Sequence, residues 1–563
     1  MTSDAKGSLR ACARTTAAAL VLVTGGTIMV SFAAAESVSA PEPVEVPAGE
    51  TVVAEAPSDE TSQEARESGE GVTVVSKGRS SKSDSEDENS TTVAKSSSKS
   101  AKKRKSTDSA FRAGPQYEDE YDAEAQADIY GGKSEVEPPR PLLEIGREQY
   151  TSGIYDESST AFGALNPLLP GLSVYGDWRT AVAYNNNNGK EIAQIATRLN
   201  LDIDFKITGT ERLHAFFAPI QKANAKFSRL EFGGSDSNDK FNDEFDANPQ
   251  TLFFEGDFGS LYSGFSGQQA GFDLPFVAGL FPLFLQNGIW ANDAILGAAV
   301  TLPALNSPAL GLSNYDVTFF AALDDVDNAG IIGANGKADK HSANLFGVTA
   351  FIDAFGGYVE TGYGLLQGTG DQDGLVEHYL TAAYTRRYAN TLSNSTRVFA
   401  NFGDDNGGNG RNEDGYAIIS ENSLISSLPS TLLPYANFFV GVDNPKPLVD
   451  GNGAGILKNV GINFETDALT GYPKLDDTGS NAWGGAIGLE YLFHLDQQLV
   501  FEVAMVQPFE DDGIGAKDAQ YALGVRYQLP INRAWLFRAD ATYQIIESAE
   551  DNFGIRTEVR RKF

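Results

Sequence analysis

The chain of 563 residues carries 76 acidic against 43 basic side chains, a formal net charge of −33, with 58 glycines, 3 methionines and a single cysteine. That balance excludes the basic face a nucleic-acid binder needs, and the lone Cys12 excludes an intramolecular disulfide or a cysteine-built metal site. Abundant glycine with 10% aromatics and little methionine suits strands and turns better than helical bundles.

Residues 1–35 read as an export signal. Arg10 and Arg14 form a charged start, AAALVLVTGGTIMVSFAAA is the apolar run, and Ala33 and Ala35 give the small-x-small cleavage pattern before Glu36. Cys12 precedes that run, so it is no lipoprotein attachment site. No later stretch has the ~18 uninterrupted apolar residues of a spanning helix. Residues 36–137 form a Ser-, Glu- and Lys-rich tail, beginning ESVSAPEPVEVPAGE, with too little apolar surface to offset chain entropy, and read as disordered. Its basic block, Lys102, Lys103, Arg104 and Lys105, is suited to holding an acidic cell-wall polymer, or is simply a solvated charge run. Residues 138–171 read as a linker, and 172–563 as one ordered body.

Period-two alternation fills that body. In GLSVYGDWRTAVAY, Asp177 and Arg179 oppose Val174, Trp178 and Val182. From 193 to 207, Ile195, Leu199, Leu201, Ile203 and Phe205 share one face, while Arg198, Asn200, Asp202, Asp204 and Lys206 share the other. An Asp-x-Asp pair at a nucleotide site would ordinarily lie in a loop; here it lies on one face of a strand. A strand of soluble domains has about five or six residues, and a tilted membrane strand needs about nine to eleven, so this one is long enough to span a bilayer. The run 270–293, AGFDLPFVAGLFPLFLQNGIWAND, breaks the alternation with continuous apolar residues and a proline. It reads as an inward-folded loop packed in the lumen, a segment at a subunit interface or a membrane-dipping hairpin.

Alternation returns toward the C-terminus. Glu490 opposes Leu489 and Tyr491; Glu502 opposes Phe501 and Val503; Arg526 opposes Val525 and Tyr527; Arg538 and Asp540 oppose Phe537, Ala539 and Ala541. The last run sets Phe553, Ile555, Thr557, Val559 and Phe563 against Arg556, Glu558, Arg560 and Lys562, with Arg561 interrupting the apolar face. Short connections (208–211, 495–498, 529–532) contrast with long acidic ones (221–250, 465–482, 507–518), the asymmetry of an outer-membrane barrel. The fold class is therefore all-β: a single-chain transmembrane antiparallel β-barrel of about 16–18 strands, an even count, closed so that no strand edge meets lipid, and preceded by the disordered tail.

On the signal, the long amphipathic strands and the terminal strand at Phe553, Ile555, Val559 and Phe563, the chain resembles the Gram-negative outer-membrane β-barrel porins. The resemblance implies recognition of that C-terminal strand by the barrel-assembly machinery, insertion into outer-membrane lipid and passive diffusion of small hydrophilic solutes or cations. It further implies a homotrimer and one loop folded inward as a constriction. The tail at 36–135 departs from ordinary porins.

A pore selects by the size and charge of its wall. The candidate wall charges are Asp177, Arg179, Arg198, Asp202, Asp204, Lys206, Glu490, Glu502, Arg526, Arg538 and Asp540. Mixed signs allow a transverse field; the alternative is cross-strand pairing that stiffens the wall. The acidic sum favours cations. A structural barrel tethering the envelope through its charged N-terminal tail is the competing function. His214, His341, His378 and His494 share no catalytic spacing, so no enzyme is expected. No cofactor and no resident metal are expected either: the 324–336 run offers Ala329 and Gly336 where a calcium loop needs oxygen ligands.

Overall fold

The computed structural model describes residues 141–146, 160–222, 226–233, 240–332, 339–405, 414–425, 432–451, 453–465, 469–493, 497–509 and 515–563. The expected signal, its cleavage site, the tail with its basic block, and His494 lie outside the described residues.

The body is a closed ring of 18 antiparallel strands. It begins with β1 (Gly171–Asn187) and β2 (Lys190–Lys206), a hairpin turned at Asn188 and Gly189, both at positive φ. The third position is shared. Arg212–Phe217, here β3, pairs with the Leu201 end of β2, and Lys226–Gly233 pairs with its Ile192 end, so the chain leaves the wall between them. Then come β4 (Pro249–Asp257), the helix α1 (Phe258–Ser266), β5 (Pro275–Leu285), β6 (Ala291–Ser307) and β7 (Leu312–Asp324). The far wall consists of β8 (Ala343–Ala354), β9 (Gly357–Gly368), β10 (Leu375–Tyr388), β11 (Leu392–Asp405), β12 (Gly415–Leu424) and β13 (Leu432–Asp443). The ring is completed by β14 (Ala482–Phe493), β15 (Gln497–Pro508), β16 (Gln520–Pro530), β17 (Trp535–Ile546) and β18 (Asn552–Lys562). It closes where β18 pairs with β1, from Asp177 opposite Lys562 to Asn186 opposite Phe553. The count falls within the expected range.

An even count puts both ends of the ring at one rim. The connections there include 207–211, 308–311, 355–356, 389–391 and 531–534, and this is called the turn rim. The opposite, loop rim carries the long connections 325–342, 444–481 and 509–519. Two expectations need correcting. The 221–250 connection contains a wall segment, Lys226–Gly233. The 270–293 run is no inward loop: it is β5 and the start of β6, which pair along their length from Leu285 opposite Ala291 to Phe276 opposite Val300. Only its tip enters the lumen, where Ile289 and Trp290 are buried.

The two faces of the wall differ as the pleat requires. Trp178, Val182, Ile487, Val503, Leu523 and Ile555 point outward and are exposed on the isolated chain, forming an apolar band. Arg561, the residue that breaks the terminal strand's apolar face, lies at the turn rim with its guanidinium 5.9 Å from the centre of the Trp535 ring. A cation placed there keeps its head in water while its stem covers apolar surface. A short strand, Leu143–Gly146, pairs with Gly171–Val174 beyond the end of β18. The lone described α-helix is far too short to cross a membrane, and no described helix is long and apolar enough to do so.

The band makes a direct test. Ile487→Arg places a charge at the middle of β14's outward face and should cost about 2–4 kcal/mol, whereas Ile531→Arg, in a turn-rim connection, should cost at most about 1 kcal/mol. Denaturant titration in liposomes measures the difference, and the folded ring should run faster on gels unheated than heated. Equal costs for the two substitutions would contradict a bilayer around the ring.

Candidate functional site: the narrowed lumen

Interior positions follow from ladder parity. Because directly paired residues share a face, one interior assignment propagates round the ring: Lys562, Asp177, Asn200; Arg560, Arg179, Arg198; Arg538, Glu558; Arg526, Asp540, Arg556. All eleven candidate wall charges lie on interior faces, but most are not bathed by the lumen. Asp177, Arg179, Arg198, Asp202, Glu490, Glu502, Arg526, Arg538 and Asp540 are all buried.

The cover is the connection 444–481, which folds inward and runs along the inner wall. It enters beside β6, where Val449 pairs in parallel with Ala291 and the Leu448 amide donates to the Trp290 carbonyl at 2.7 Å. Two glycines on the interior face of β9 permit this approach: a Cβ at Gly362 would stand 2.6 Å from the Trp290 indole, and one at Gly364 would stand 2.5 Å from Leu448. A second inward connection supports it. Asn328 donates to the Leu448 carbonyl at 2.8 Å and to the Tyr379 hydroxyl at 2.7 Å. Leu448, Ile456, Leu457, Val460, Phe464 and Leu475 then bury against inner-wall residues such as Phe281, Leu345, Phe439 and Val506. Each such side chain contributes roughly 1.5–3 kcal/mol by leaving water.

Polar latches fix the far half. Glu502 accepts the Ile462 amide (2.8 Å), the Asn463 amide (2.9 Å), the Asn463 side-chain amide (2.9 Å) and the Tyr435 hydroxyl (2.5 Å). Glu465 of the inserted connection sits between Arg526 and Arg538, which also grip Asp540 at 2.7 and 2.8 Å. The Asn185 side chain donates to the Thr470 carbonyl at 2.7 Å, and Gln194 donates to the same oxygen. Within the connection, Lys458 pairs with Asp450 at 2.7 Å. Asp327, on the second inward connection, has its carboxyl pushed up by burial; Lys340 opposes that and Asp325 and Asp450 add to it.

The ionic sector spans β16, β17, β18, β1 and β2. Arg526, Arg538, Arg556, Arg560, Arg179 and Arg198 alternate with Asp540, Glu558, Asp177 and Glu465. Arg179 meets Glu558 at 3.4 Å, Arg560 meets Asp177 at 3.5 Å, and Arg556 pairs with Glu558. Asn200 bridges Asp177 and Arg198 at 2.8 Å each. Farther round the ring, the interior of β7 and β8 carries Asp316 and Asp353, both half-buried. Asp316 accepts the Ala304 amide at 2.6 Å, and Asp353 accepts the Asn314 side chain at 3.3 Å. Toward the turn rim, Asp204 lies 3.8 Å from Arg212 and 3.7 Å from His214, and Glu255 accepts from the other His214 nitrogen at 3.0 Å. Lys206 is half-buried on the same interior face, and Glu490 takes the Gln498 amide at 2.5 Å.

Sequence reasoning passed over Arg556, Glu558 and Arg560 as wall charges, although the period that marked Arg538 and Asp540 also marks them. Glu465, Asp316 and Asp353 were missed too: the first lies in a connection, where parity says nothing. Among the described residues no group of three His, Cys, Asp or Glu side chains is placed to hold a metal ion.

A closed antiparallel ring with an apolar exterior, a charged interior and an inward-folded loop defines a transmembrane β-barrel of porin architecture. No protein-family model matches the sequence, and no curated protein matches it. Among solved structures, Acinetobacter baumannii OccAB4 is similar at 12% identity and a TM-score of 0.43, over 69% of this chain and 98% of that one. Pseudomonas aeruginosa OccK7 (OpdD) is similar at 7% and 0.45 over 70% and 98%. OccK2 (OpdF) of the same organism is similar at 9% and 0.44 over 70% and 97%.

Glu465→Ala tests the latch. Leaving Arg526 and Arg538 without the carboxylate of the connection should cost about 3–5 kcal/mol and loosen the connection from the wall around residue 465. Thermal melts should fall, and single-channel conductance should rise with greater current noise. An unchanged melt together with unchanged conductance would show that the pair does not hold the connection.

Proposed function

We propose that the chain is an outer-membrane, porin-like channel that passes ions and small hydrophilic solutes by diffusion and prefers cations. The observation that carries this reading is the interior itself. A ring built only to anchor could fill its lumen with apolar side chains; this one carries an ionic lattice, separate carboxylates on β7 and β8, and a connection laid along the wall.

The preference for cations follows from what is neutralised. On β16 through β1 the interior arginines Arg526, Arg538, Arg556, Arg560 and Arg179 are paired with carboxylates, so much of their charge is neutralised within the wall. Asp316 and Asp353, by contrast, accept hydrogen bonds only from neutral groups. Their charge extends into the lumen, where low-dielectric walls focus it. The described loop-rim connections add more acids than bases, including the exposed Asp371, Asp373, Glu547 and Glu550, which raises the local concentration of cations before entry. On this reading the turn rim faces the periplasm, and the terminal strand with Phe553, Ile555, Val559 and Phe563 is the segment the assembly machinery engages.

Purified protein in a planar bilayer under a salt gradient tests the proposal. The reversal potential should favour cations. Asp316→Asn with Asp353→Asn should lower the cation-to-anion permeability ratio, by roughly 2–5-fold per charge if each contributes about 0.5–1 kcal/mol. A wild-type potential favouring anions would overturn the preference, and no current at any voltage would overturn the channel.

A further inference from the structure

The helix α1 stands apart from the lumen. It interrupts the turn rim between β4 and β5, and three large side chains on one stripe of it face out: Phe258, Tyr262 and Phe265, 46%, 50% and 70% exposed. Their spacing of four and three residues aligns them on one helical face. From Phe258 to Phe272 there is no Asp, Glu, Lys, Arg or His.

That exposure does not come from a loose segment. Asp257 caps the helix, accepting the Ser260 amide at 2.6 Å and the Leu274 amide at 2.7 Å. Gly267, at φ 67°, closes the other end by donating to the Ser263 carbonyl. The opposite face carries Gly259, Ser263 and Gly264, all buried. Gly264 and Gly163 pack backbone to backbone: a Cβ on Gly163 would stand 1.8 Å from the Gly264 carbonyl oxygen. The segment bearing Gly163 is itself tied to the rim, because Asn166 donates to Glu211 at 2.7 Å. The scaffold thus holds an uncharged aromatic face outward in a fixed orientation.

We propose that α1 is an interfacial lipid anchor, its aromatic face seated at the headgroup–acyl boundary of the phospholipid leaflet at the turn rim. Continuity identifies the occupant. The Phe258 ring stacks on Phe276 at 4.1 Å, and Phe276 lies 5.9 Å from Phe254. Both are on the outward faces of β5 and β4, so the helical stripe extends the lipid-facing wall without a gap. Aromatic rings concentrate at membrane interfaces, where an apolar body meets lipid and a polar tip such as the Tyr262 hydroxyl meets water. The stripe fixes the height and tilt of the ring by lying in the interface, beside the outward rings of β4 and β5.

The inference rests on the reading that the ring spans a bilayer, and the test separates the two. With Cys12→Ser as background, nitroxide labels are placed by Tyr262→Cys, Phe265→Cys, Gln268→Cys and Ile487→Cys in full-length protein reconstituted into phosphatidylethanolamine–phosphatidylglycerol vesicles. Labels at 262 and 265 should collide with oxygen several-fold more often than with a water-soluble nickel chelate. At 268, just past the helix on its exposed C-terminal side, the ratio should reverse. Nickel reaching 262 and 265 as readily as 268 would overturn the anchor while the label at 487 still reports lipid. Exclusion of both reagents with spin–spin broadening at 265 would also overturn it, showing a second copy against the helix. A label at 487 in water would remove the spanning ring, and the anchor with it.

Discussion

A peptide group facing hydrocarbon without a partner costs several kcal/mol, and the seam between β18 and β1 is where this chain meets that constraint. Ten residue pairs from Asp177–Lys562 to Asn186–Phe553 join the last strand to the first, and the Phe563 amide continues the ladder onto the Gly176 carbonyl at 3.0 Å. Once the seam is shut every wall strand has two neighbours, and the pleat sends alternate side chains into an enclosed interior. Everything else in the molecule answers the question of what those inward side chains are to do.

Two answers coexist. On one side Phe281, Leu345, Phe439 and Val506 are apolar and need cover, which the inward connection 444–481 supplies from Leu448 to Leu475. On the other, the arginines of β16 to β2 are too polar to be dried without partners, so carboxylates stand between them and Glu465 is delivered from the same connection. Buried ion pairs of this kind add little net stability, because desolvation consumes most of the attraction, but they are strict about position. The apolar contacts therefore supply adhesion, and the ionic ones decide where along the wall the connection rests. The carboxylates of β7 and β8 stand outside both arrangements.

Which face a residue takes was legible from the sequence wherever one face is apolar, as in β2 and in β14 through β18, since parity fixes it. What the residue touches was not. Glu502 reads as one more polar position in QQLVFEVAMV, yet it accepts four hydrogen bonds, three of them from residues about forty positions earlier in the chain. The run 270–293 misled for a physical reason: β5 packs lipid outside and an apolar interior inside, so both faces are hydrophobic and the period disappears. The connection that does fold inward was hidden by the converse. Its apolar residues are spread among Gly, Asn and Asp without period, because an irregular segment shaped to a curved wall has none. The third wall position was obscured because no strand pattern survives a detour between Phe217 and Lys226.

The partners of the inward connection also tie it to the whole ring. Trp290 and Asn328 come from the chain before it, Arg526 and Arg538 from after it, and Asn185 and Gln194 from the opening hairpin. Segments so far apart in sequence are brought within reach only by wall pairing, since each long-range contact must first repay the entropy of closing its chain loop. The complete set of partners exists only when the wall is whole, so the narrowing of the lumen depends on closure of the entire ring. Closure and constriction are therefore coupled: whatever loosens the seam beside Asn185 also loosens a partner of the segment that narrows the lumen.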